Sequence, residues 1–173
     1  YAQYLGNKVL ATSFSTYKNG QPIDLIPQGG IEIATGNAEV VVKRVTVTSN
    51  KDGSVLLDQD FTKELNSAWQ VIPGSVGSTV EEGKGLVLKA QDSGLNGLYI
   101  LNDSWNNYKV EVVASRLSGT DGFYVGAGLT DITAEKKNVS EYAIGYGGNA
   151  TGVKVYKQGI EGYTMGDYSS STA

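Results

Sequence analysis

The chain has 173 residues, a formal charge of −4, 18 % charged residues and neither cysteine nor histidine. That length is sufficient for one domain with a sizeable core. The composition excludes a disulfide framework, a thiolate metal site and any nucleophile relay that needs a histidine base. The basic residues are scattered and no apolar run approaches the roughly 20 residues of a membrane span, so neither a nucleic-acid partner nor a membrane partner is expected.

In chain order, Lys8 to Phe14 (KVLATSF) predicts a first strand, and Lys18 to Ile23 (KNGQPI) a hairpin, because Asn-Gly supplies the positive φ angles of a tight turn. Ile31 to Thr35 alternates apolar and polar residues, and Gly36-Asn37 turns the chain. Glu39 to Thr48 (EVVVKRVTVT) is the strongest strand signal, with Val40, Val42, Val45 and Val47 expected to be buried. Lys43-Arg44 interrupts its alternation and marks a candidate bulge.

Asn50 to Ser54 (NKDGS) predicts an Asp-Gly turn, followed by a strand at Val55 to Phe61. A polar segment then leads to Trp69-Gln-Val-Ile. Gly74 to Gly85 reads as turn-rich, with Val76 and Val80 as its apolar anchors. Gly85 to Ala90 and Gly97 to Leu101 predict two more strands. From Asn107 to Tyr156 four alternating runs are separated by Gly, Asn, Asp or Thr clusters. Val110, Val112 and Ala114 share one side of the first; Phe123, Val125 and Ala127 of the second; Tyr142 and Ile144 of the third; Val153 and Val155 of the fourth. These four runs are the expected centre of the fold. About eleven short strands and no convincing helix predict an all-β antiparallel β-sandwich.

Carboxylates are the only acid–base catalysts at hand. Asp58 and Asp60 have the spacing that points two side chains the same way from a strand, but their position before Phe61 reads as a solvated edge. No metal site is expected: Asp121-Gly and Asn50 to Gly53 read as turns rather than calcium loops, and no cofactor is implied. Sugars stack on flat rings while amides and carboxylates bind their hydroxyls, and two clusters fit that chemistry. One holds Trp105 and Tyr108 beside Asn102 and Asp103. The other holds Tyr142, Tyr146 and Asn149 in a Gly-rich setting. Trp105 and Tyr108 could equally anchor a turn, with the rings packed under the sandwich.

Gly29 to Thr35 (GGIEIAT) with Ala38 to Thr48 (AEVVVKRVTVT) resembles the closing strands of concanavalin A-like, laminin-G-like modules. Gly53 to Phe61 (GSVLLDQDF), Trp69, Trp105 to Tyr108 (WNNY), Gly122 to Val125 (GFYV), Tyr142 and Gly147 to Asn149 look like the opening of a similar module. The succession resembles the non-catalytic sandwich of multidomain α-L-arabinofuranosidases of glycoside hydrolase family 51. The resemblance implies a concanavalin A-like jelly roll forming one domain over 1–173, with 1–50 supplying closing strands and 51–173 the main sandwich. It implies a fragment of a larger, secreted or cell-surface bacterial protein whose catalytic domain lies on the same polypeptide. The expected partner is a plant cell-wall polysaccharide, arabinoxylan or arabinan, with Trp105, Tyr108, Tyr142, Tyr146 and Asn149 as contacts. By this reading the fragment itself is no enzyme. The alternatives are a purely structural sandwich packed on the catalytic domain and a small glycosidase with its own carboxylate pair. Two departures stand out: Ala143 and Ile144 replace the tryptophan-rich run of the family, and the family's late strand pair is missing after Tyr156.

Overall fold

A computed structural model of the chain describes residues 28–75, 78–90 and 96–130 in full, and the backbone of short segments at 3–5, 8–11, 17–18, 21–22, 142–146, 153–157 and 164–168. Among these, the strands are β1 (Gln3–Leu5), β2 (Lys8–Ala11), β3 (Tyr17–Lys18), β4 (Gln21–Pro22), β5 (Gly30–Thr35), β6 (Ala38–Ser49), β7 (Val55–Asp60), β8 (Gln70–Val71), β9 (Ser78–Glu81), β10 (Gly85–Lys89), β11 (Asn96–Ile100), β12 (Tyr108–Gly119), β13 (Phe123–Leu129), β14 (Tyr142–Tyr146), β15 (Val153–Lys157) and β16 (Thr164–Tyr168). Every pairing is antiparallel, and the described residues contain no helix.

Two large sheets result. One is five-stranded, ordered β12-β6-β10-β9 with β7 also paired to β6; the other is seven-stranded, ordered β16-β15-β14-β13-β5-β11-β8. Ile31, Ile33, Leu98 and Ile100 of the second sheet meet Val40, Val42, Val45, Val47, Leu86 and Leu88 of the first in one apolar cluster. The expected hairpin at Lys18 is present as β3 against β4, with Lys18 opposite Gln21.

β6 shows how local sequence becomes packing. Val40, Val42, Val45 and Val47 are all fully buried, although strict alternation would put the first two and the last two on opposite faces. The ladder to β12 resolves this: Val42 pairs with Ala114 and Arg44 with Val113, leaving Lys43 as the extra residue of a bulge. The bulge shifts the parity by one, so all four valines face the core while Lys43 and Arg44 remain exposed. It also divides the other edge of β6, which pairs with β10 through Glu39 to Val42 and with β7 through Arg44 to Thr48. At the division the Phe61 N–H donates to the Lys43 carbonyl at 2.9 Å.

β6 and β7 are joined by the expected Asp-Gly turn. Gly53 has φ +74°, and the Asp52 carboxylate accepts from the Ser54 amide at 3.0 Å and its hydroxyl at 2.7 Å. Beyond β7, buried Gln59 fixes the next loop: its Nε2 donates to the carbonyls of Asp60 and Glu64, and its Oε1 accepts from the Asn66 amide. The loop returns Trp69 against Phe61, with ring centroids 5.4 Å apart.

Three expectations change. The four runs from Asn107 to Tyr156 do not lie side by side: the chain leaves the five-stranded sheet after β12 and enters the seven-stranded sheet with β13, so the runs serve both sheets. The turn-rich Gly74 to Gly85 stretch contains β9, a hairpin partner of β10 with Val80 packed against the core; Val76 lies outside the described residues. A further strand, β16, follows Tyr156 and pairs with β15. β5 and β11 are buried on both faces, and Ala34, Tyr99, Ile72 and Leu129 form a second apolar cluster.

Candidate functional site

The first expected sugar-binding pair belongs to the interior. Trp105 is 7 % and Tyr108 5 % exposed, and their rings meet edge to face with centroids 6.1 Å apart. A turn places them there. The Asn102 side-chain oxygen accepts from the Ser104 amide and hydroxyl, and the Trp105 amide donates to the Asn102 carbonyl. The Trp105 carbonyl then accepts from the Gly29 amide at 2.9 Å, so the turn is tied to the start of β5. A ring with no open face cannot stack on a sugar, which removes Trp105 and Tyr108 from the exposed contacts.

Tyr108 instead connects the two sheets. In β13 Ala127 pairs with Ile31 and Leu129 with Gly30, leaving Gly128 as a bulge residue at φ +74°. The buried Gly128 N–H donates to the Tyr108 hydroxyl at 2.9 Å, and that hydroxyl donates to the Gly30 carbonyl at 2.9 Å. The phenol thus satisfies a backbone donor that the bulge leaves outside the ladder. Nothing but tyrosine's reach and its paired donor and acceptor is required.

Of the second cluster, Tyr142 and Tyr146 are the terminal residues of β14, where Tyr142 is opposite Ala127 and Tyr146 opposite Phe123. Asn149 lies outside the described residues.

A groove of about 610 Å³ lies elsewhere, between the outer side of β6 and β7 and the loop that Gln59 holds. Its lining includes Arg44, Asp58, Asp60, Lys63, Glu64 and Asn66. Arg44 forks onto Asp58, Nε to one carboxylate oxygen at 2.7 Å and Nη2 to the other at 2.6 Å. Asp60 accepts from the Thr62 hydroxyl at 2.6 Å and amide at 2.9 Å, with the Lys63 ammonium 3.5 Å away. The Arg44 hydrogen bond holds Asp58 below the usual carboxylate range, and the Thr62 hydrogen bonds do the same for Asp60. Both are therefore anions at neutral pH. The groove combines carboxylate acceptors, a guanidinium and an amide in an open polar setting, a donor set suited to hydroxyl groups.

Sequence reasoning identified the Asp58–Asp60 spacing but not the groove. The signal for it was Lys43-Arg44 interrupting β6, which sets Arg44 on the outer side next to β7. Among the described residues no group of three or more carboxylates is placed to hold a metal ion. No protein-family model, curated protein or solved structure matches the chain.

Proposed function

We propose that this chain is a non-catalytic accessory module, a concanavalin A-like β-sandwich that binds or orients an arabinose-containing polysaccharide for an α-L-arabinofuranosidase-like catalytic domain on the same polypeptide. Asp58 and Asp60 carry the reading. They are the strand-spaced carboxylate pair of the open groove, and both are held ionised by hydrogen bonds. A glycosidase needs one carboxyl with a raised pKa to protonate the leaving oxygen. Two depressed carboxylates supply hydroxyl acceptors without that acid. The two-sheet, all-β architecture is compatible with a module of this class. In this reading Tyr142, Tyr146 and Asn149 are the remaining aromatic and amide contacts, and the protein is secreted or held at a bacterial cell surface.

A second reading, a purely structural sandwich packed on its catalytic domain, is favoured by the burial of Trp105 and Tyr108. Affinity electrophoresis of the chain in gels containing arabinoxylan, arabinan or xylan separates the two. Retardation by an arabinose-bearing polymer, reduced in Asp58→Asn or Tyr146→Ala, is the expected result. Unchanged mobility in all three gels would replace the binding role with the structural one. Release of arabinose by this chain alone would overturn both.

A further inference from the structure

The charges around the groove of β6 and β7 do not balance. Arg44 and Lys63 line it against the three carboxylates of Asp58, Asp60 and Glu64. Both cations are already committed. Arg44 places Nε and Nη2 on the two oxygens of Asp58, and the Lys63 ammonium lies 3.5 Å from Asp60. Glu64 is exposed, and its carboxylate makes no ion pair among the described residues. The backbone beneath it is fixed from the interior. Buried Gln59 donates to the Glu64 carbonyl at 3.2 Å and accepts from the Asn66 amide at 2.9 Å, while Leu65 between them packs against the core. The loop that carries the unopposed charge is thus held in place at the groove.

A ligand meets hydrogen-bonding capacity there without net positive charge. Arg44 leaves Nη1 outside its fork with Asp58, and Asn66, whose Oδ1 accepts from the Ala68 amide at 2.9 Å, leaves Nδ2 as a donor. Asp58, Asp60 and Glu64 add carboxylate lone pairs. A sugar hydroxyl both donates and accepts, so it can use either kind of group. A uronate carboxylate only accepts, and it brings a further negative charge. Resting on the binding role proposed above, we infer that this groove selects neutral arabinose-bearing chains and discriminates against segments that carry uronic acids. Coulomb's law sets the size: one unopposed charge facing another across about 7 Å of water changes affinity by about threefold for each uronate. Salt removes the effect, because at about 0.5 M the screening length is only about 4 Å.

Isothermal titration calorimetry with glucuronoarabinoxylan, before and after its carboxyl groups are reduced to primary alcohols, isolates the charge on one backbone. Wild type should bind the reduced polymer about threefold more tightly than the acidic one at low salt. The difference should vanish at about 0.5 M NaCl. Glu64→Lys should abolish or reverse it. Asp103→Lys changes the net charge of the chain equally, at an exposed position outside the groove, and should leave the preference unchanged. Equal affinity for the two forms at low salt would overturn this inference while leaving the sugar-binding role standing. So would a preference that survives the added salt, that Glu64→Lys leaves as in wild type, or that Asp103→Lys removes as fully. Absence of binding to linear arabinan and to both forms would instead overturn the binding role, and this inference with it.

Discussion

Replacing Tyr108 by phenylalanine removes one oxygen and keeps the ring in the core. That oxygen accepts from the Gly128 amide and donates to the Gly30 carbonyl, both at 2.9 Å. Gly128 is the bulge residue of β13, without a ladder partner of its own, and it is buried. Removing the phenol leaves its N–H without a partner in a place that water does not reach, which costs about 1–3 kcal/mol. The packing contribution of the ring is retained, so a total near 2 kcal/mol is expected. For a chain of this length that corresponds to a melting temperature lower by about 4–8 °C. In urea it is a midpoint lower by about 1 M with unchanged slope, taking a slope of about 2 kcal/mol/M. The assay is paired urea and thermal melts followed by tryptophan fluorescence, with polysaccharide retardation measured on the folded variant. Retardation should remain as in wild type. A Tyr108→Phe protein as stable as wild type but no longer retarded would refute the reasoning, because the hydroxyl would then be a ligand contact.

Two other perturbations follow from the same structure. Trp105→Ala empties a ring site at 7 % exposure and should cost about 3–5 kcal/mol, read as loss of the cooperative melt or a large fall in its midpoint; a variant melting like wild type would place the ring outside the core. Asp52, Asp58 and Asp60 all have folded-state pKa values below their ordinary range, that of Asp52 lowered to about 2 by the Ser54 hydroxyl and amide. Depressed carboxylates stabilise the fold above the unfolded pKa near 4 and lose that contribution as pH falls through the folded values. Melts should therefore weaken from about pH 4 toward pH 2, and Asp52→Asn should flatten that slope; a pH-independent melt across this window would contradict the assigned hydrogen bonds.

Period-two runs, the Asp-Gly turn at Asp52-Gly53 and the interruption at Lys43-Arg44 are all local signals, and each reappears in the fold. Apart from β9, which lies in a stretch that reads as turn-rich, the longer strands from Ile31 to Leu129 lie close to where the sequence pattern puts them, and Val40, Val42, Val45 and Val47 are buried as expected. The interruption proved to be the bulge that makes this burial consistent. The candidate site was less legible. An aromatic beside amides has the same sequence whether its ring faces a sugar or the core, and Trp105 and Tyr108 became core residues because the Asn102 turn aims them between the sheets. Arg44 and Asp58 are 14 residues apart and meet only through the β6–β7 hairpin. Gly128 needs Tyr108 only because a bulge in one sheet lies above the edge strand of the other. The sequence alone determined which segments extend and which turn, since these depend on side-chain period and backbone φ preference. The partition of strands between two sheets, and hence which rings are buried and which carboxylates are paired, depended on contacts between distant segments that no local pattern specifies.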